Sequence, residues 1–142
     1  MWPTPWHEVV LFFETMRAHD LPNLGRHYHA QARFKDPFRS VTGVPAITEV
    51  YRHMFATLVQ PHFKVLNVVA QGDEAFLTWD FHFALARSPG QAQCIHGATH
   101  LKLDARGVIT LHRDYWDAAE ELYEKLPVLG GFMRWLKRRA AA

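Results

Sequence analysis

The sequence predicts an α+β fold in which helices cover one face of a curved antiparallel sheet. Two observations carry that expectation. Apolar residues recur at helical spacing as far as Phe55, and from Phe63 onward the period changes to two. The period-two stretches are joined by short polar turns, Gly72-Asp73, Ser88-Pro89-Gly90 and Asp104-Ala105-Arg106-Gly107, as expected of a meander. With 142 residues, 49% of them apolar, the chain suits a single core, and we read residues 1–142 as one domain.

In chain order, Thr4-Pro5 reads as an N-cap followed by proline at the first helical position, and Trp6, Val9, Val10, Phe13 and Met16 place a helix to about residue 18. Asp20 is expected to cap a second, shorter helix through Leu24 and Tyr28, with Pro22 in its first turn. A short strand is predicted over 32–36. After Gly43, the spacing of Ile47, Val50, Tyr51, Met54 and Phe55 predicts a third helix over 44–55, and Pro61 is taken to end that region. Four strands follow, over 63–71, 75–86, 92–104 and 108–116, making five in all. Residues 118–139 are expected to form a C-terminal helical extension broken at Pro127 and Gly130-Gly131.

Composition excludes several classes of function. The formal charge of +2 is small and dispersed except for a basic tail at 134–139, so nucleic acid is not an expected partner. One cysteine, Cys94, makes no internal disulfide, and the N-terminus lacks the pattern of a secretory signal, which points to the cytoplasm. No run approaches the ~18 apolar residues that span a bilayer. The tail "LPVLGGFMRWLKRR" combines apolar and basic residues in a segment short for membrane anchoring, and is expected to pack over the domain or the pocket mouth.

Two stretches, "HDLPNLGRHYHAQARFKDPF…VTGVPAITEVY" and "LKLDARGVITLHRDYWD", resemble the nuclear transport factor 2-like superfamily, in its SnoaL-like and ketosteroid-isomerase-like branch. The resemblance covers nearly the whole chain. It implies a cone of curved sheet and helices around one deep apolar pocket, usually in homodimers, with chemistry that varies widely across the superfamily. Aligned on its glycine and Asp-Pro pair, the steroid isomerase's catalytic base falls on Asp36, and two tyrosines of its hydrogen-bonded network fall on Tyr28 and Tyr51. The two oxyanion donors of that enzyme correspond instead to Phe12 and Thr99. "LHRDYWD" is similar to the last strand of limonene-type epoxide hydrolases and SnoaL cyclases, whose acid/base aspartate matches Asp114. The hydrolases' further arginine and aspartate are replaced by Trp79 and Phe81.

Strand parity places Trp79, Phe81, Phe83 and Leu85 on the interior face. For the last strand, the resemblance implies that Thr110, His112, Asp114 and Trp116 point inward. Burial makes an ionisable pair such as His112 and Asp114 costly unless it finds partners, and so a candidate for function. Each candidate has a structural alternative. An aspartate before proline, as at Asp36, commonly accepts backbone hydrogen bonds in a turn. His112 and Asp114 could be satisfied by a buried bond to Tyr28 or Tyr51.

Among the ten histidines, His96 and His100 share the outward face with Asp80, His82, Ala84, Ala98 and Lys102. A metal site there is imaginable, yet the mixed polar face reads better as a homodimer interface, and no metal or cofactor is expected.

The expected catalytic residues are therefore Asp36, His112 and Asp114. The expected ligand-binding residues are Phe12, Tyr28, Phe38, Tyr51, Phe55, Trp79, Phe81, Phe83, Thr99 and Trp116. Such a lining suits a small hydrophobic molecule with a flat ring and one or two polar groups. One reading is an acid/base isomerase, cyclase or dehydratase acting beside a carbonyl. The others are a protein that binds a hydrophobic ligand unchanged, and a homodimeric scaffold with a filled interior.

Overall fold

The computed structural model describes residue 2, residues 4–121 and residue 138. Helix α1, Trp6–Thr15, buries Trp6, Val9, Val10, Phe12 and Phe13, the stripe expected of an amphipathic helix. Its N-cap position is held by Pro5 and no side chain caps it, so Thr4 does not have the expected capping role. A 3-10 segment, Ala18–Arg26, follows and buries Leu21 and Leu24. Asp20 closes it by accepting a hydrogen bond from the Arg17 backbone N–H at 2.8 Å.

The sheet has six strands: β1 (Tyr28–Lys35), β2 (Ser40–Thr42), β3 (Leu58–Gln71), β4 (Glu74–Leu85), β5 (Ser88–Leu103) and β6 (Ile109–Tyr115). Their order is β2-β1-β6-β5-β4-β3. Helix α2, Val44–Thr57, lies between β2 and β3 in sequence and buries Ile47 and Tyr51. It starts where Gly43, at φ +96°, turns the chain out of β2 in a conformation that side chains rarely adopt. A short helix α3, Ala118–Glu121, begins where the Asp117 carboxylate accepts the Glu120 N–H at 3.1 Å. The rest of the expected C-terminal extension lies outside the described residues.

Further features depart from the sequence reading. Tyr28 begins a strand rather than ending a helix. The three-residue strand β2 was too short and polar to register as an element. Pro61 sits inside β3, not at its boundary. It is accommodated by a register irregularity between Val59 and His62, with Gln60 at φ 49°, where the missing N–H interrupts no ladder bond. Finally, β1 pairs with β6 in parallel, setting Phe34 opposite His112, while every other strand pair is antiparallel.

One face of this sheet is covered by α1 and α2. Alternation along β4 sends Ala75, Leu77, Trp79, Phe81 and Phe83 into that interior, all 8% exposed or less. On β6 the alternation breaks once. A register shift between Lys102 and Leu103 buries Ile109 and leaves the Thr110 hydroxyl donating to the Lys102 carbonyl, so Thr110 does not point inward as expected. Beyond that bulge, His112 is inward as anticipated. No helix among the described residues is long and apolar enough to cross a membrane.

Candidate functional site: a cavity ending on Asp114

Between α2 and the covered face of the sheet lies a cavity of about 370 Å³. Its walls are mostly aromatic and aliphatic: Phe34, Phe63, Trp79, Phe81 and Phe83 from the strands, and Tyr51 and Met54 from α2. A cluster of polar groups enters it, Thr99, His112 and Asp114 from β5 and β6, and Asp36 lines it from the turn after β1. Phe38 and Trp116 also line it, meeting edge to face at 5.4 Å between centroids.

Of the expected ligand-binding residues, Phe12, Tyr28 and Phe55 are not part of the cavity wall. Phe12 stacks on His27 at 3.9 Å and meets the edge of Tyr28, so its ring is used in packing α1 onto the chain. Phe55 is half-buried against the core. Tyr28, 1% exposed, forms a layer behind the wall. Wall residues that the sequence reading did not assign to the site include Val50, His53 and Thr57 of α2 and Ile95 of β5. The longer reach of α2 brings Thr57 to the cavity, while His53 falls within the expected helix, where the stripe Val50, Tyr51, Met54 was the available signal.

The polar end is a chain of hydrogen bonds. Tyr51 Oη and Tyr28 Oη lie 2.7 Å apart, Tyr28 Oη lies 2.8 Å from His112 Nδ1, and His112 Nε2 lies 2.8 Å from Asp114 Oδ1. From the other side, the Trp79 indole N–H donates to Thr99 Oγ1 at 2.7 Å, and the Thr99 hydroxyl donates to Asp114 Oδ1 at 2.6 Å. An indole N–H can only donate, so it fixes the direction of this second arm: the Thr99 proton goes to the carboxylate. The first arm is complete when Tyr51 donates to Tyr28, Tyr28 to His112 Nδ1, and a neutral imidazole donates from Nε2 to Asp114.

Burial raises the phenol pKa values of both Tyr28 and Tyr51, with the Asp114 charge adding to the effect, so both stay protonated donors. Both arms thus converge on Oδ1 of Asp114. No hydrogen bond to Oδ2 occurs among the described residues, and Asp114 lines the cavity wall.

Asp36 is placed differently. Its Oδ1 accepts the backbone N–H groups of Phe38 and Arg39, each at 2.9 Å, and its Oδ2 lies 3.5 Å from Arg39 Nε. This is the turn arrangement weighed as its structural alternative. The turn still leaves Asp36 on the cavity wall.

The sequence profile of the SnoaL-like domain matches residues 9–112. The chain belongs to the SnoaL-like domain family. Solved structures share this family's cone-shaped, nuclear transport factor 2-like fold. A protein of ketosteroid isomerase-like fold from Catenulispora acidiphila, solved with trimethylamine, superposes with a TM-score of 0.72 at 17% identity, over 86% of this chain and 92% of that one. A protein assigned as a SnoaL-like polyketide cyclase from Shewanella putrefaciens gives 0.70 at 21% identity, over 86% and 98%. An LEH-like epoxide hydrolase from M. tuberculosis gives 0.69 at 15% identity, over 92% and 90%. Among curated proteins none matches the sequence. At these identities the SnoaL-like relatives establish the architecture, and the chemistry must come from the site itself.

Proposed function

We propose that this SnoaL-like protein is an acid/base catalyst acting on a hydrophobic, ring-containing carbonyl compound, with Asp114 as the base. One observation carries the reading: Asp114 lines an apolar cavity with its Oδ1 held by Thr99 and His112, and its Oδ2 takes no hydrogen bond among the described residues. A carboxylate so held is oriented without being neutralised, which is what removal of a proton beside a carbonyl requires. His112, backed by Tyr28, holds the carboxylate in place by donating Nε2–H to Oδ1, and the proton that Asp114 takes from the substrate is the one it gives back to it. The aromatic wall would bind a flat ring by stacking and burial. Isomerisation, cyclisation and dehydration share this first step, and the Shewanella relative's assignment as a polyketide cyclase agrees with it. Asp36, with its Oδ1 committed to the turn, is better suited to shaping the mouth than to taking the proton.

Exchange of the substrate's acidic C–H for deuterium from solvent tests this step without knowledge of the product. A panel of aromatic and polycyclic ketones incubated with the protein in D₂O should include members that exchange faster than in buffer. Asp114→Asn should lower that rate by roughly 10²–10⁴-fold while leaving ligand affinity within a few fold. Unchanged exchange in the variant would overturn the assignment. A second reading, binding without turnover, is favoured by Thr99, which stands where the resemblance implies a donor acid. It predicts saturable binding of such compounds with no exchange in either protein.

A further inference from the structure

The opposite face of the sheet carries a second cluster of chemistry-bearing side chains that the cavity does not use. Because Trp79, Phe81 and Phe83 point inward, their neighbours Asp80 and His82 on β4 point outward, and the inward Ile95 likewise turns Cys94 and His96 of β5 outward. The register sets Asp80 opposite His96 and His82 opposite Cys94. On the next strand His62 pairs with His82, and the two imidazoles stack at 5.1 Å. The sequence reading paired His96 with His100, but His100 is engaged by Glu74 at 2.5 Å. His96 instead directs Nδ1 at the Asp80 carboxylate.

We propose that Asp80, Cys94 and His96 form a binding site for a zinc-class divalent cation on the outer face of the sheet. One ligand atom from each, a carboxylate oxygen, a thiol sulfur and an imidazole nitrogen, lies within 4.8 Å of the others. Ligand atoms around a tetrahedral zinc ion are separated by about 3.4–3.6 Å, given metal–ligand distances of ~2.0–2.3 Å. The His96–Asp80 pair, already in hydrogen-bond contact, has to open to admit the ion while the Cys94 sulfur comes within its reach, adjustments that side-chain rotation supplies on two hydrogen-bonded strands. The donor set selects the ion: a thiolate with an imidazole disfavours magnesium and calcium, and one carboxylate with one imidazole tempers the softness that would favour copper(I).

On binding, the ion displaces the thiol proton of Cys94 to solvent and takes the place of the hydrogen bond between His96 and Asp80, the imidazole keeping its one proton on the nitrogen turned away from the ion. Thiolate and carboxylate together balance the dication's charge. Three protein ligands leave a fourth position for solvent, and His82, directly across from Cys94, is the nearest further imidazole in the register.

Cobalt(II) reports on such a site directly, because a thiolate ligand adds a near-ultraviolet sulfur-to-metal charge-transfer band and tetrahedral geometry gives intense visible bands. Tag-free, chelator-stripped, reduced protein should take up one cobalt per chain with both features, and zinc should displace it. Cys94→Ser should abolish the charge-transfer band. Asp80→Asn and His96→Ala should each weaken binding by more than about tenfold, while His100→Ala should leave it unchanged. Absence of the charge-transfer band in the unsubstituted protein overturns the proposal whatever the variants do, as does equal affinity in His96→Ala and His100→Ala.

Discussion

Replacing Thr99 by valine probes the hydrogen bonds that fix Asp114 while keeping side-chain shape. In the native site the Thr99 hydroxyl accepts the Trp79 indole N–H at 2.7 Å and donates to Asp114 Oδ1 at 2.6 Å. Thr99 and Trp79 are 3% and 5% exposed, so the freed indole N–H has no ready access to water. An unsatisfied buried donor costs about 1–3 kcal/mol, and a lost bond to a charged acceptor about 1.5–3 kcal/mol. The two do not add fully, since Asp114 borders the cavity and keeps His112 as a donor. A loss of about 2–3 kcal/mol follows. With an unfolding entropy of about 2.1 cal/mol/K per residue, this corresponds to a melting temperature lower by about 7–10 °C.

Thermal unfolding followed by circular dichroism measures this, with Thr99→Ser as control. Serine keeps the hydroxyl and loses only a methyl, so it should recover most of the drop. A valine variant that melts within about 1 °C of the parent, or a serine variant that melts as low as valine, would refute the reasoning.

Gly97 is a second sensitive point, because a Cβ there would lie 2.4 Å from the nearest ring carbon of Trp79. Gly97→Ala should displace the indole, cost about 1–3 kcal/mol of overpacking strain and alter tryptophan fluorescence; an unperturbed emission spectrum would show that the ring tolerates the methyl. The His27 ring is covered on one face by Phe12, and this burial, reinforced by Arg26 and partly opposed by Asp20, lowers its pKa below 6.5. Below about pH 6.5 the unfolded chain therefore takes up a proton at this site more readily than the folded one, and stability falls as pH falls through that range. Chemical denaturation at several pH values between about 5 and 7.5 should show a shallower dependence in His27→Gln, and parallel curves would exclude a contribution from this residue.

The elements most legible in the sequence are those whose signal is local. Trp79, Phe81 and Phe83 alternate on β4 because their strand has one buried face, and Ile47 and Tyr51 repeat at helical spacing because α2 does. The parallel pairing of β1 with β6 has no local signal, since its partners stand about 80 positions apart, as Phe34 and His112 do. Pro61 misled because a proline inside a strand needs a bulge to carry it, and the backbone at Gln60 is visible only in three dimensions. At the site, the resemblance picked out His112 and Asp114 and brought Tyr28 and Tyr51 forward. The linking role of Thr99 was not readable, because Trp79 and Asp114 approach it from strands on either side of β5. On the outer face, the register decides which histidine meets which acid, and spacing along one strand could not.

The position of β6 sets an order on the making of this molecule. It lies between β1, among the first parts synthesised, and β5, so a nascent chain that stops short of residue 109 holds two raw strand edges with nothing between them. The missing ribbon also bears His112 and Asp114, so a shortened translation product lacks both its central staple and the polar part of the cavity wall, and its open edges invite pairing with other chains.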